Sequence, residues 1–385
     1  PALAAGRVKL LANAGGVNPE ACAAAVLAML ERNGARATVR VGLVTGDDLL
    51  ERVDELTDAG HELRHMDTGQ LLADVRDRLV SANAYLGSAP LAEALALGAQ
   101  VVLSGRCNDA ALAVAPLRHE FGWGAGDYDL LAAATVAGHV IECGAQATGG
   151  NCLADWAAIE GLADVGYPIV EVAADGSFVV TKHAGTGGRV SRQTVTEQLV
   201  YEIGDPTAYV TADVISDFTT IQIADAGADR VRVTGVRGRA PTGKLKVSAA
   251  YRDGYKAVGT LVYAWPDARA KAEAADRLLR ARLDRLGLRF ERVLTEVIGA
   301  GATHGALAGT DAGRDAPEVQ LRIGVRDADR AKVTRFTREI APLVLNGPPG
   351  VTGYFGARAR VEEILAYWPT LVDASVVVPR VELLA

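Results

Sequence analysis

Buried strand-like runs alternate with helical patterns in the first third of the chain. The apolar run over 7–14 precedes Asn18-Pro19-Glu20, which reads as a helix N-cap, a first-turn proline and a first-turn acid. A helix should therefore run to Arg32 and end at Asn33-Gly34. The same scheme recurs in a strand over 39–45, a helix over 90–97 and a strand over 100–103. It predicts an α/β domain, residues 1–165, with a mostly parallel sheet and helices on both faces.

The pattern becomes antiparallel after about residue 166. Strand-like runs over 167–172 and 178–181 flank Asp175-Gly176, a hairpin signal. Four alternating runs then predict a meander: 220–224, 230–236, 244–251 and 257–263. A helix over 268–286 follows, with an apolar stripe of Leu279, Leu283 and Leu286. We expect a β-rich domain over 166–290.

The last segment alternates again. A strand over 319–325, helices over 327–340 and 360–367 and a strand over 375–378 predict a small α+β closing unit, residues 291–385. The overall fold class is therefore α/β, with an antiparallel middle.

Composition narrows the class of partner. The chain has 385 residues and a net charge of -7, which argues against a nucleic-acid or anionic-membrane surface, since both need a positive field. Four cysteines without a CxxC pair fit the reducing cytoplasm. No apolar run reaches the roughly 18 residues that a membrane span needs. The chain begins at Pro1 rather than Met, so we expect an upstream segment.

In a parallel sheet, ligands bind beyond the carboxyl ends of the strands. Here those ends lie at 13–18, 45–48 and 104–109. In the last of them, Arg106 is a candidate for holding a carboxylate or phosphate, and Asp109 is predicted to cap a helix that runs to Leu117. A surface ion pair between Arg106 and Asp109 is the alternative.

The most informative stretch is the glycine-rich loop 144–151 that follows His139 and Glu142. These two residues are three apart on a helix that starts near Asp127, so they can share one face. We predict that Glu142 is a general acid or base and that His139 orients it or shares its proton. Alternatives are a structural helix-end pair, or two metal ligands completed by Asp109 and His183. Without clustered metal-ligand spacing, no metal is assigned.

Cys143 is a further catalytic candidate. Backbone amides of the following loop could stabilise its thiolate or an oxyanion, with His139 as the base. A small buried cysteine without catalytic function is the alternative. The predicted catalytic residues are Glu142, His139, Cys143 and Asp109.

A second glycine-rich loop, 182–188, lies about forty residues later and leads to a predicted capping box at Thr194 to Glu197. Its glycines and basic neighbours predict a phosphate cradle shared with the first loop, although the Walker A pattern is absent. A tight strand-to-helix turn is the alternative. The predicted substrate-binding residues are Asn13, Gly15, Gly16, Asn18, Arg106, Gln146, Thr148, Gly149, Gly150, Asn151, Lys182, His183, Gly185, Thr186, Gly187 and Gly188.

Taken together, the runs 13–20, 104–109, 138–151, 185–188 and 197–206 resemble the acyclic terpene utilisation protein AtuA family. The resemblance covers nearly the whole chain in order. It implies a bacterial cytoplasmic protein that acts in the breakdown of branched acids as coenzyme A thioesters, in a pathway with a biotin-dependent acyl-CoA carboxylase. Two positions depart from the family pattern: Cys107-Asn108 stands where Val-Ala is expected, and His183 where proline is common. The family pattern also implies an earlier N-terminal stretch and a later ferredoxin-like domain.

The leading functional hypothesis is a lyase, either a hydratase or a carbon-carbon lyase, that acts on an acyl thioester. It needs no cofactor beyond the coenzyme A of its substrate, and we expect a homo-oligomer. The alternatives are a non-catalytic acyl-CoA-binding or carboxylase-associated subunit and a metal-dependent hydrolase.

Overall fold

The chain forms two compact units, Pro1–Ala249 with Trp368–Ala385 (unit 1) and Ala250–Tyr367 (unit 2). The structure is a computed structural model that describes residues 2–16, 18–353 and 359–384. These units do not coincide with the segments 1–165, 166–290 and 291–385, because one long strand, Lys244–Ala264, passes through the boundary at Ala249. Separate folding of the three segments stays a prediction.

Helices and strands alternate through the described residues. The α-helices are α1 (Pro19–Arg32), α2 (Val53–Asp58), α3 (Ala89–Ala96), α4 (Ala111–Phe121), α5 (Tyr128–Glu142), α6 (Arg192–Val200), α7 (Ala268–Arg285), α8 (Arg330–Ile340) and α9 (Leu343–Asn346). The strands are β1 (Leu10–Ala12), β2 (Val41–Thr45), β3 (Leu79–Ala84), β4 (Val101–Ser104), β5 (Ile169–Val172), β6 (Phe178–Thr181), β7 (Tyr209–Val210), β8 (Ile215–Asp217), β9 (Gln222–Asp225), β10 (Val231–Thr234), β11 (Arg237–Arg239), β12 (Lys244–Ala264), β13 (Arg292–Ile298), β14 (Glu318–Asp327), β15 (Val351–Thr352), β16 (Glu362–Asp373) and β17 (Arg380–Leu384). None of these described helices combines the length and apolar character that crossing a membrane requires.

The predicted parallel sheet is present in unit 1. Its order is β1-β4-β2-β17, in which β1, β4 and β2 are parallel and β17 is antiparallel to β2. Val41 and Leu43 share a core with Ala23 and Leu30 of α1. A Cβ at Gly42, which points to the other face, would lie 3.1 Å from the Cβ of Ala94 in α3. Because successive residues of a strand face opposite sides, helices cover both faces as predicted.

Helix α1 has the predicted bounds. The side chain of Asn18 accepts a hydrogen bond from the amide of Ala21, and Asn33 forms the C-cap. The capping residues in the sequence therefore define where this helix begins and ends.

The antiparallel middle of the chain is also confirmed. The sheet has the order β5-β6-β10-β9, and α5 packs in the same core, where Leu131 and Val136 meet Phe178 and Val231. The hairpin of β5 and β6 turns at Asp175-Gly176, where Asp175 accepts from the amide of Ser177. A three-stranded sheet, β11-β8-β7, completes this region.

In unit 2, helices cover an antiparallel sheet that contains β13, β14 and β12. Leu279 and Leu283 of α7 are buried as the stripe predicts, whereas Leu286 is 45% exposed. From α8, Val333 and Phe336 enter the same core, together with the sheet residues Leu321 and Ile323.

Three predicted elements are wrong. The runs 244–251 and 257–263 are one continuous strand, β12, rather than two strands of a meander. Residues 360–367 contain no helix, because pairing of β16 with β12 overrides the helix propensity of Glu362-Glu363-Ile364-Leu365-Ala366. The last strand is β17, at 380–384 rather than 375–378, and it pairs with β2 in the first sheet.

Candidate functional site

A cavity of about 640 Å³ in unit 1 brings together residues from distant parts of the chain. Its polar lining consists of Lys9, Asn13, Asp109 and Glu142. Its apolar lining consists of Leu11, Leu112, Ala113, Pro116, Leu117, Ile141, Val170 and Val172. Three predicted site residues thus share one largely apolar cavity, the usual form of a small-molecule site.

Gly138 explains how α5 reaches this cavity. A Cβ at Gly138 would lie 2.9 Å from the Cα of Ala110, closer than real Cβ atoms approach. Only glycine therefore lets α5 pack this tightly against the start of α4. The contact brings Glu142, one turn later on α5, to the wall that carries Asp109.

His139 and Glu142 form the predicted pair. The His139 Nδ1 lies 2.8 Å from Glu142 Oε1, and Nε2 lies 3.0 Å from the backbone carbonyl oxygen of Gln198. The His139 side chain is 1% exposed and that of Glu142 22%. His139 therefore does not line the cavity, and Glu142 lies between it and the cavity.

Asp109 joins a small polar cluster. Asn13 Nδ2 donates to Asp109 Oδ1 at 3.3 Å, and Arg106 Nη2 lies 3.5 Å from Asp109 Oδ2. The Arg106 guanidinium stacks over the ring of Tyr85, 4.1 Å from its centroid, and is not among the residues that line the cavity. The predicted helix cap is wrong: α4 begins after Ala110 without a side-chain cap, so the Asp109 carboxylate faces the cavity instead.

Cys143 follows Glu142 but has unfavourable chemistry for a nucleophile. Burial raises the pKa of its thiol, and the negative charges of Glu142, Glu202 and Asp109 act in the same direction. A raised pKa lowers the thiolate fraction at neutral pH, which argues against nucleophilic catalysis by Cys143.

The two glycine-rich loops lie side by side, whereas the phosphate cradle shared between them stays a prediction. The amide of Arg189 donates to the carbonyl of Thr148 at 2.8 Å, and a Cβ at Gly188 would lie 2.5 Å from the same oxygen. The Thr148 hydroxyl donates to the carbonyl of Gly166 at 2.6 Å. Close backbone packing therefore accounts for Gly188, and Gly149 adopts a φ of +105° that favours glycine.

Seven amides of these loops, however, already donate to backbone carbonyls. In the first loop, Gln146, Thr148, Gly149 and Gly150 donate to the carbonyls of Cys143, Ala145, Gln146 and Ala145. In the second, Thr186, Gly187 and Gly188 donate to those of His183, Asp164 and Glu160. An anion would have to displace these hydrogen bonds, and neither loop lines the cavity. The substrate-binding role of these residues stays a prediction.

Side chains of the loops also hold the loops together. Lys182 is 5% exposed and donates to the carbonyl of Thr186 at 2.7 Å, with Asp229 Oδ2 at 3.3 Å. Asn151 donates to Gln146 Oε1 at 3.3 Å. The remaining members of the second loop, His183 and Gly185, are exposed.

The capping box begins earlier than predicted. Ser191 is the N-cap of α6 and exchanges hydrogen bonds with Thr194. Glu197 instead accepts from the amides of Leu153 and Ala154, so its carboxylate fixes the chain after the first loop.

The turn at 13–18 connects β1 to α1. A Cβ at Gly15 would lie 2.5 Å from the Cα of Pro19, and Gly16 has a φ of +52°. Asn18 is the cap described above. Val17 lies outside the described residues. Of the residues of this turn that the structure describes, Asn13 alone lines the cavity.

The sequence analysis did not predict two candidate functional residues, Gln198 and Asp47. Gln198 is fully buried, and its side chain donates to the carbonyl of His139 at 2.7 Å. Asp47 is buried at the end of β2 beside a second cavity of about 730 Å³, and its Oδ2 accepts from Asn83 Nδ2 and from the amide of Arg106. Gln198 lies in the run 197–206 that resembles the family, and Asp47 lies at a predicted strand end. The sequence around them does not indicate which distant residues they contact.

The described residues contain no group of three or more His, Cys, Asp and Glu side chains placed to hold a metal ion.

The fold and the cavity define an α/β protein in which Glu142, hydrogen-bonded to the buried His139, lines a largely apolar cavity. The model of the family described as acyclic terpene utilisation family protein AtuA matches residues 1–383. The chain belongs to this family, as its sequence motifs predicted. No curated protein and no solved structure matches it.

Proposed function

We propose that the chain is an enzyme of terpenoid or branched-acid catabolism, a lyase that acts on an acyl thioester in the cavity lined by Glu142. Membership of a family described by acyclic terpene utilisation supports the catabolic role. The observation that carries the proposal is the convergence of Asn13, Asp109 and Glu142 on one apolar cavity.

The lining suits a branched hydrocarbon chain. Apolar side chains from β1, α4, α5 and β5 would bury the acyl group, and burial of apolar surface contributes about 25 cal/mol per Å². The polar cluster of Asn13, Asp109 and Glu142 would face the reacting carbons. Coenzyme A enters only as part of the substrate.

Both lyase reactions need one acid and one base. In hydration, the oxygen of water bonds to the β-carbon, its proton passes to a carboxylate, and the α-carbon takes a proton from a carboxyl group. In carbon-carbon cleavage, a carboxylate removes the proton of a 3-hydroxyl group, the bond from the β-carbon to a carboxymethyl group breaks, and the enolate of acetate that leaves takes a proton from a carboxyl group. Among the described residues, Glu142 and Asp109 supply the two carboxyl groups that line the cavity.

Replacement of Glu142 by Gln tests this proposal. The amide keeps the size of the side chain but transfers no proton, so turnover should fall by about 10²–10⁴-fold while thioester binding stays within a few-fold. The assay is mass spectrometry of the full chain against a panel of acyl-CoAs, in which gain of water or loss of acetate identifies the reaction. Glu93→Gln, at an exposed position of α3, is the matched control. Full activity of the Glu142 variant would refute the assignment.

A second candidate is a non-catalytic subunit that binds an acyl thioester or docks onto a biotin-dependent carboxylase. Exposed apolar side chains favour it: Leu153 is 82% exposed, and Trp156 and Tyr167 are each 68% exposed. Co-purification with a carboxylase, without turnover by the chain alone, would select this candidate. Assembly into a homo-oligomer and a cytoplasmic location remain part of the proposal.

A further inference from the structure

Gln198 and His139 hold each other from two sides. The backbone carbonyl of Gln198 faces His139 Nε2 at 3.0 Å, and the side-chain amide of Gln198 donates to the His139 carbonyl at 2.7 Å. Both residues are buried, and the rings of Tyr209 and Phe218 lie 5.9 and 5.7 Å from the imidazole, centroid to centroid. The imidazole therefore has one position and a fixed partner at each nitrogen.

These partners determine where hydrogen must lie. A carbonyl oxygen only accepts, so His139 Nε2 carries a hydrogen and donates it to Gln198. In a neutral imidazole, Nδ1 is then a bare acceptor. It faces Glu142 Oε1 at 2.8 Å, and an ionised carboxylate also offers only lone pairs. Two acceptors at this distance repel each other unless a proton lies between them.

We infer that Gln198 is a positioning residue that keeps a proton between His139 and Glu142 and thereby makes Glu142 the acid of the reaction. The inference rests on the proposed function for the role of that proton. Since His139 is 1% exposed and Glu142 22%, the shared proton leaves for the cavity through the Glu142 carboxyl group.

Asp109 is then the base. Its side chain is 52% exposed, and its hydrogen-bond partners, Asn13 and Arg106, are both donors, so its oxygens act as acceptors towards them. In hydration, Asp109 takes the proton of water and Glu142 gives its proton to the α-carbon. Exchange with solvent afterwards returns a proton to Glu142 and removes one from Asp109, so the cycle balances.

The first test reads the imidazole directly and needs no substrate. The ring nitrogens of the six histidines are recorded by long-range ¹H–¹⁵N correlation on the full chain, and those of His139 are assigned by their loss in His139→Asn. We expect a bound hydrogen on Nε2 and an Nδ1 resonance shifted toward that of a protonated nitrogen. In Glu142→Gln, Nδ1 should move to the position of an unprotonated acceptor. A wild-type ring that carries its hydrogen on Nδ1 alone would overturn the inference.

The second test removes the hydrogen bond from the Gln198 side chain to the His139 carbonyl. Gln198→Met keeps the length of the side chain but cannot donate to the His139 carbonyl, so the ring resonances should change and kcat should fall by about 10²-fold with KM within a few-fold. Gln193→Met, at an exposed position of the same helix, is the matched control. A folded Gln198→Met variant with wild-type ring resonances and kcat would overturn the inference.

A more conservative variant shows whether the effects of Gln198→Met come from the lost hydrogen bond or from misfolding. Gln198→Glu restores a donor only while its new carboxyl group is protonated, so the wild-type ring resonances should return as the pH is lowered. Their absence at every pH at which the variant is folded would count against the inference. If the wild-type ring resonances are as expected but no acyl-CoA is turned over, the proposed function fails and the proton assignment stands.

Discussion

Asp47 has a buried carboxyl group at the end of β2, where two donors reach the same oxygen. Burial raises its pKa above the ordinary value of 3.8, although the amide of Arg106 and the side chain of Asn83 oppose the shift. Its carboxyl group is also packed tightly against Gly105, where a Cβ would lie 2.1 Å from Asp47 Oδ1. Asp47 therefore fixes the backbone from which the Arg106 side chain extends.

The raised pKa of Asp47 predicts a pH dependence. Its contribution to stability is fully present below the unfolded-state value of about 3.8 and is lost as the pH rises through the higher folded-state value. The free energy of unfolding of the wild type, relative to Asp47→Asn, should therefore fall as the pH is raised from about 4 towards neutral. Urea unfolding across this range measures the difference, with exposed Asp58→Asn as the matched control. A difference that grows with pH would contradict the burial argument.

At the residue scale, the sequence identified the contact between Glu142 and His139, because residues three apart on a helix share a face. It did not identify Gln198 or Asp47. Their partners lie 59 and 36 or more residues away in the chain, and no local pattern encodes such a contact. For the two glycine-rich loops, the sequence showed the glycines but not the backbone carbonyls to which the loop amides donate.

At the element scale, the contact between α4 and α5 decides whether the cavity forms. Ala110 meets Gly138 at a distance that leaves no room for a side chain. Leu112 and Leu117 of α4 and Ile141 of α5 then lie along one wall. The position of Glu142 thus depends on a glycine one turn away from it.

Replacement of Gly138 by Val should separate these helices. Overpacking against the Ala110 backbone costs about 1–3 kcal/mol, more than the small gain in helix propensity over glycine. Chemical denaturation should show this loss in the free energy of unfolding. Gly126→Val is the control, since its Cβ would meet nothing within 4 Å. Equal stability of the two variants would show that the helix contact is not tight.

The predicted helices whose boundaries came from caps, such as α1, were placed well because the cap and the first turn are neighbours in sequence. The helix predicted over 360–367 failed for the complementary reason. Its local propensity is helical, but β12 offers strand partners that are distant in sequence, and pairing overrides propensity.

At the scale of the whole molecule, both ends of the chain contribute to the first sheet. Strand β17 pairs along all of β2, with Arg380 opposite Thr45 and Leu384 opposite Val41. The end of the chain therefore protects a strand whose carboxyl end borders the second cavity.

Removal of residues 380–385 should expose β2 as an unpaired sheet edge. We expect faster hydrogen exchange at the amides of Val41–Thr45 and a greater tendency to aggregate, because an open strand edge recruits other chains. Hydrogen exchange followed by mass spectrometry and light scattering measure the two effects. Exchange in α7 of unit 2 serves as the internal reference. Unchanged protection of β2 would show that β17 is dispensable.

The sequence by itself determined the family, the alternation of elements and the contact between His139 and Glu142 on α5, because each depends on residues close together in the chain. Tertiary structure alone decided that β17 joins the first sheet, that the loop amides are already paired, and that Asn13, Asp109 and Glu142 share a cavity. Those facts depend on which distant segments pack together. That choice follows from close packing and hydrogen bonding across the whole fold, which no local pattern records.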